Sequence, residues 1–230
     1  MAQLTPFALK DAPALIEAVF PAQKVSFEAQ QERTSVQSQT LTGLGSYWKG
    51  RKPLILVKSI ILGSLLPKTD DSEKDLDVYE MLMAFDSESL AKRAITLGAI
   101  KPVDLISSID IHNPWDFFSH NIKQDDNRFS DVDELTAPFD SHALGLKIRW
   151  RRDICDDEKV PLFKEYLQRF ETYEEKASLC KRPEECDQNW LSSHVWANTK
   201  LYFSNFGISA NSLEELVEQL GVLRFGRKPS

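Results

Sequence analysis

Apolar residues in the C-terminal half recur at intervals of three and four. Leu162, Phe163, Tyr166, Leu167, Phe170 and Tyr173 follow Pro161 at that spacing and predict a helix with one aromatic face for packing. Residues 212–220 predict another, with Ser212 and Glu215 as a capping box, Leu213, Leu216, Val217 and Leu220 on one face and Gly221 as the stop. Residues 184–198 read as helical too. Further forward, Pro53 suits a first helical position, and residues 53–66 are apolar on most sides, so they predict a largely buried core helix closed by Pro67. Two more helices are expected over residues 75–85 and 89–97, the second ended by Gly98 as a left-handed cap. Residues 144–150 alternate through Leu144, Leu146, Ile148 and Trp150, the period of a strand. Residues 102–110 fit a helix or a strand, and residues 11–19 a short helix leading to Phe20-Pro21. The polar residues 30–42 and the acidic residues 124–134 read as loops. The pattern as a whole predicts an α+β fold, predominantly helical with a few short strands, in a single domain spanning 1–230. Any sub-boundary is expected in the loop near 124–143.

Composition narrows the class. A chain of 230 residues with 42% hydrophobic and 27% charged residues is within the range of soluble globular proteins. The longest apolar stretch, residues 54–66, is interrupted by Lys58, Ser59, Gly63 and Ser64 and falls short of the ~20 residues a membrane span needs. The first residues lack a basic segment followed by an apolar one, so no secretory signal is expected and the protein is read as cytoplasmic. Cys155, Cys180 and Cys186 are read as reduced thiols. Cys180 and Cys186 with His194 match no standard zinc spacing and lack a fourth ligand, so no metal is expected. His112, His120, His142 and His194 are scattered singly.

Charge is distributed unevenly. The net charge is −7, which argues against a protein that coats nucleic acid over its whole surface. Yet residues 33–68 hold Arg33, Lys49, Arg51, Lys52, Lys58 and Lys68 with no acid, leaving −13 for the remainder. Within that stretch Tyr47-Trp48-Lys49-Gly50-Arg51-Lys52-Pro53 interleaves aromatic and basic residues. Trp48 can plug the core while the cations stay in water, and Lys49, Arg51 and Lys52 can contact phosphates near a helix N-terminus; the two readings are compatible. Lys147, Arg149, Trp150, Arg151 and Arg152 read either as a strand end with outward cations or as a second backbone-contact patch. Arg224, Phe225, Arg227 and Lys228 form a third group. Asn113-Pro114-Trp115 reads as a turn starter in preference to a base-binding motif, and Gly43-Leu44-Gly45 is a lone G-x-G.

Residues 38–67, SQTLTGLGSYWKGRKPLILVKSIILGSLLP, resemble the N-terminal domain of unknown function that precedes the catalytic domain in a group of adenine-specific DNA methylases. Tyr47, Trp48, Arg51, Lys52, Pro53 and Leu54 carry the likeness, an aromatic-basic-Pro-Leu turn feeding an apolar helix. Residues 212–230 are similar to the stretch running into the methyl-donor-binding strand, and Lys181-Arg182-Pro183-Glu184 is a weaker likeness. The resemblance implies a non-catalytic, DNA-handling or scaffolding role in S-adenosylmethionine-dependent methylation of adenine N6, in the phage-defence setting of such bacterial enzymes. The chain departs from that family by ending before a glycine-rich donor turn and by lacking the acidic-or-amide, Pro-Pro, aromatic motif that holds a flipped adenine. No catalytic, cofactor or metal residue is therefore assigned, and S-adenosylmethionine is expected only with a complete enzyme. The DNA-contact candidates are Trp48, Lys49, Arg51, Lys52, Arg149, Arg151, Arg152, Arg224, Arg227 and Lys228. The expected partners are DNA, held weakly, and a catalytic methyltransferase domain or other defence-complex proteins. The alternative is a stand-alone protein-interaction scaffold that binds no DNA.

Overall fold

The computed structural model describes residues 4–37, 53–121 and 147–228. The fold is predominantly helical and, among these residues, holds a two-stranded antiparallel sheet, as the α+β pattern predicts. It divides into two compact units, one of Met1–Ser89 with Arg182–Ser230 and one of Leu90–Lys181. The expected sub-boundary at 124–143 lies outside the described residues.

In the first unit a short 3-10 turn, Leu15–Glu17, precedes helices α1 (Ala22–Gln37), α2 (Leu54–Leu65) and α3 (Ser72–Met83), and α4 (Ser87–Leu97) begins there. Its C-terminal part is α8 (Gln188–Ser204) and α9 (Leu213–Phe225). Helix α2 is the centre, packed on the 3-10 turn, α1, α3 and α9. Ile55, Ser59, Leu62, Gly63 and Leu65 form its buried face. A Cβ on Gly63 would lie 3.2 Å from the Phe20 ring and 3.3 Å from Ile16 Cβ, so glycine permits the close approach of the 3-10 turn.

Helix α2 supplies no side chain to cap itself. Its N-cap, Pro53, makes no side-chain bond, and the first free amides, of Leu54 and Ile55, donate instead to the Glu32 carboxylate of α1 at 2.9 and 3.1 Å. At the other end Arg224 of α9, 8% exposed, donates from Nε to the Leu65 carbonyl at 2.7 Å and from a terminal nitrogen to that of Leu66 at 3.0 Å. The same guanidinium donates to Ala12 O at 2.9 Å and Pro13 O at 3.3 Å, tying the N-terminal segment to the end of α2. Asp75, fully buried, accepts from Thr69 N (2.6 Å), Thr69 Oγ1 (2.8 Å) and Tyr202 Oη (2.8 Å), joining α3 to α8. Lys58 donates to the Leu82 carbonyl at 2.7 Å, and burial pulls its ammonium down to about 8.

The second unit carries the rest of α4, then α5 (Pro102–Ile106), a 3-10 turn Pro114–Asp116, β1 (Phe118–Asn121), β2 (Lys147–Trp150), α6 (Asp156–Gln168) and α7 (Tyr173–Ser178). Phe118 pairs with Trp150 and His120 with Ile148 across the antiparallel ladder. Trp150 packs 4.6 Å from the Phe118 ring and stacks on Phe163 of α6 at 6.1 Å. Arg93, fully buried, donates to the Lys181 carbonyl at 2.6 Å and closes this unit on itself.

Several expectations need correction. Residues 30–37, read as loop, continue α1; Val25, Glu28 and Ala29 form a narrow buried stripe against α2, and packing overrides the poor propensity of the Gln, Ser and Thr around them. Residues 38–42 lie outside the described residues. Helix α2 is not buried all round: Leu54, Leu56, Val57, Ile60 and Ile61 are 36–50% exposed, because its neighbours line one side only. The expected helix over residues 11–19 is only the 3-10 turn. Strand β1 had no period-2 signal and forms by pairing with β2. Helix α6 starts at Asp156, with Pro161 inside it, and only Leu162, Phe163 and Leu167 of its stripe are buried; Tyr166 and Phe170 are half-buried and Tyr173 opens α7. The helix expected at 184–198 begins later, at Gln188, where Asp187 caps it, and runs to Ser204. Gly221 does not stop α9, which reaches Phe225 so that Leu223 and Arg224 enter the core. The stop is Gly226 at φ 70°, where a Cβ would strike the Phe7 ring at 2.2 Å.

Replacing Arg224 with alanine would remove the charged donor from the Leu65 and Ala12 carbonyls, while those of Leu66 and Pro13 keep the Leu15 and Lys68 amides. The expected loss is at least ~3 kcal/mol in a urea titration, since bonds from a charged donor contribute about 1.5–3 kcal/mol each when not replaced by water. A loss under ~1 kcal/mol would show that these carbonyls reach solvent.

Candidate functional site

Among the described residues, the cations singled out in the sequence lie at the end of β2 in one unit and in or after α9 in the other. Trp48, Lys49, Arg51 and Lys52 lie outside the described residues. Arg149, Arg151 and Arg152 are exposed at the end of β2. Arg151 is engaged there: it grips Asp153 through Nε at 3.1 Å and a terminal nitrogen at 2.7 Å, and it donates to the Trp115 carbonyl at 3.3 Å. That pairing holds Asp153 below the usual carboxylate range. Arg224 is corrected from DNA contact to core residue, because its guanidinium is buried among backbone carbonyls. Arg227 and Lys228 are exposed after α9, Lys228 paired with Glu218.

Asn113 caps the Pro114–Asp116 turn, accepting from Trp115 N at 3.3 Å and donating to Asp116 at 2.9 Å. All three cysteines are free thiols, with Cys155 exposed and Cys186 buried. Among the described residues no group of three or more His, Cys, Asp or Glu is arranged to hold a metal ion. Nor is any helix there long and apolar enough to cross a membrane.

Two features of the first unit stand out. The first is the outer face of α2. On a helical wheel Leu54, Leu56, Val57, Ile60, Ile61 and Ser64 occupy one arc of roughly 160°. All six are exposed, and none is charged. Helix α2 follows the aromatic-basic residues 47–53 in the sequence, so the pattern that predicted an apolar helix was present there, but the side left uncovered was not.

The second is an acidic cleft of about 400 Å³ lined by Asp77, Glu80, Met81, Asp86, Ser87, Glu88, His194 and Asn198. Asp86 precedes α4 and accepts from the Glu88 and Ser89 amides at 3.2 Å each, so it caps that helix. The same Oδ2 atom lies 3.0 Å from His194 Nε2. His194 lies nearly parallel to Trp190 at 4.9 Å, and its Nδ1 is 3.3 Å from Glu88 Oε2. Glu80 is tied to Lys24 of α1. Burial works against the Asp86 carboxylate, but the bonds from His194 and Ser89 outweigh it and hold its pKa below the ordinary value. Sequence reasoning treated His194 as an isolated histidine. The available signal was the i, i+4 spacing of Trp190, His194 and Asn198 on one face of α8.

Residues 19–82 match a family model described as a protein of unknown function, DUF1156. The matched stretch contains α1, α2 and most of α3. No curated protein and no solved structure matches the chain.

Because its folded pKa is depressed, Asp86 contributes stability that is present above the ordinary carboxylate value of about 4 and is lost as pH falls through the lower folded value. Asp86→Asn is therefore expected to lower stability by about 1–2 kcal/mol at pH 7. The difference from the parent should shrink toward zero in urea titrations at about pH 3 and below. A difference that stays constant down to pH 2 would place the effect in packing and not in charge.

Proposed function

We propose that the chain is the non-catalytic, DNA-handling or scaffolding region of an S-adenosylmethionine-dependent adenine-N6 DNA methyltransferase of a phage-defence system, working beside a separate catalytic domain. The observation that carries the reading is the uncovered aliphatic face of α2. It lies in the stretch matched by the family model and directly follows, in the sequence, residues 48–53, on which the likeness to these methylases rests. The exposed parts of its five large side chains amount to roughly 400 Å², the size of patch that marks an interaction site. Two copies meeting through α2 alone would fall short of the ~800 Å² per partner of a stable interface. A catalytic domain that covers α2 and reaches past it meets that requirement.

The methyl donor belongs to that domain. The described residues do not fit it: the connection from β2 to α6, Arg151 to Cys155, has no glycine to admit a nucleoside, and its Asp153 is already held by Arg151. Calorimetry with S-adenosylmethionine is expected to give no binding to this chain, and binding at micromolar concentration would overturn the non-catalytic assignment. In gel filtration with a catalytic adenine-N6 methyltransferase domain of the proposed type, the chain is expected to co-elute. The double change Val57→Asp with Ile61→Asp, both exposed, should abolish co-elution while leaving the chain folded. Co-elution unaffected by these changes would remove α2 from the interface.

The second reading, a scaffold that binds no DNA, draws support from the net charge of −7. Salt dependence separates the two. DNA affinity of the whole chain is expected to be weak and independent of sequence. Replacing Lys49, Arg51 and Lys52 together with alanine should reduce the slope of log affinity against log salt by roughly 2 to 3. No binding at low salt, or a slope unchanged by the triple substitution, would favour the scaffold.

A further inference from the structure

Lys58 is the only charged residue in α2, and it stands on the border between the two faces of the helix. On a helical wheel it lies about 40° from Leu54 on one side and about 40° from Leu62 on the other. Leu54 is 50% exposed and belongs to the aliphatic face, whereas Leu62 is 1% exposed and belongs to the core. Lys58 itself is half-buried, and its Nζ donates to the Leu82 carbonyl at 2.7 Å, in the last turn of α3.

The end of α3 favours a cation there, but among the described residues no carboxylate pairs with this one. Of the charged groups on the elements packed against α2, Glu32 of α1 binds the Leu54 and Ile55 amides and Glu80 of α3 binds Lys24 of α1. Glu28 of α1 is buried, Glu17 of the 3-10 turn is exposed, and Arg224 of α9 binds the Leu65 and Leu66 carbonyls. Lys58 forms an ion pair with none of them. Its amine is therefore held by a neutral carbonyl alone, at the edge of a surface open to solvent, and burial pulls it down to about 8.

We propose that Lys58 is a covalent modification site whose Nζ takes the acyl group of a small acyl phosphate. In the neutral amine one N–H donates to the Leu82 carbonyl, which leaves the lone pair and the second hydrogen directed away from it. The lone pair attacks the acyl carbon and the N–C bond forms. The bond from that carbon to the phosphate oxygen breaks, and the departing phosphate accepts the proton that nitrogen loses. The product amide keeps one N–H, so the bond to Leu82 survives and α2 need not shift against α3. The same reaction removes the only charge of α2 and adds an apolar group beside Leu54, which extends the aliphatic face. That this extension strengthens docking of a catalytic domain rests on the function proposed above; the modification does not.

Incubating the whole chain with acetyl phosphate at pH 7.5 and following each lysine by peptide mass spectrometry tests the site without any partner. An amine with a value of about 8 is roughly a quarter neutral at that pH, against about one part in a thousand for an ordinary lysine side chain. Intrinsic nucleophilicity falls with basicity and takes back part of that advantage. Lys58 is expected to acetylate about tenfold faster than the exposed Lys10 and Lys200, with a rate that levels off above about pH 9. In guanidinium chloride the preference should vanish, because the unfolded chain no longer buries the amine. The site is overturned if Lys58 in the folded chain acetylates no faster than Lys10 and Lys200, if its rate is still rising beyond about pH 10, or if the preference persists in the denatured chain.

Discussion

Helix α2 holds the first unit together through bonds that it cannot make by itself. A twelve-residue helix is marginal in isolation, and this one begins at a proline that makes no side-chain cap bond and ends in Leu65-Leu66. Glu32, twenty-two residues before Leu54, supplies the negative charge at its amino end, and Arg224, 159 residues after Leu65, supplies the donors at its carboxyl end. Each group sits where the helix dipole favours its sign. The second cap comes from the last helix of the chain, so the unit is complete only when the segment after Arg182 has returned to the N-terminal half. The same guanidinium also binds the carbonyls of Ala12 and Pro13, which makes one buried cation on α9 the tie between two separate stretches of backbone.

Fixing both ends of α2 also fixes its rotation. Gly63 turns toward Phe20 and Ile16, Ser59 bonds the Tyr79 hydroxyl at 2.7 Å, and the opposite arc is left in water. Fully burying a Leu, Ile or Val side chain is worth about 1.5–3 kcal/mol relative to leaving it exposed. A face of five such residues is therefore a reserve of association energy, and it bears no charge that a partner would have to desolvate. The cleft beside α3 and α8 is its chemical opposite, a polar site in which Asp86 Oδ2 accepts from the Glu88 and Ser89 amides and meets His194 Nε2. Asp86 caps α4 and binds His194 with the same carboxylate, so the state of the ring bears directly on the start of a helix.

Much of the helical framework was legible in the residues. The Ser212 cap and the Gly98 stop follow from local chemistry, and α2 closes just before Pro67 as its ring requires. Local chemistry also misled where a distant contact competed with it. Gly221 looks like a stop, but the helix gains Leu223 and the Arg224 bonds by continuing through it. The Gln, Ser and Thr of α1 favour loop until Val25, Ala29 and the Glu32 carboxylate find α2. Arg224 reads as a surface cation beside Arg227 and Lys228, and nothing within a few residues of it shows that five carbonyls from distant segments converge on its side chain.

The amino-acid sequence by itself determined the predominantly helical class, most helix positions and the location of the basic stretch, because these depend on periodicity, caps and charge within a few residues of chain. Only the tertiary structure decided which side of α2 is covered, which cations are buried and which histidine is held between carboxylates. Those properties depend on residues from 20 to 215 positions apart, whose meeting is set by packing, and no local pattern encodes them.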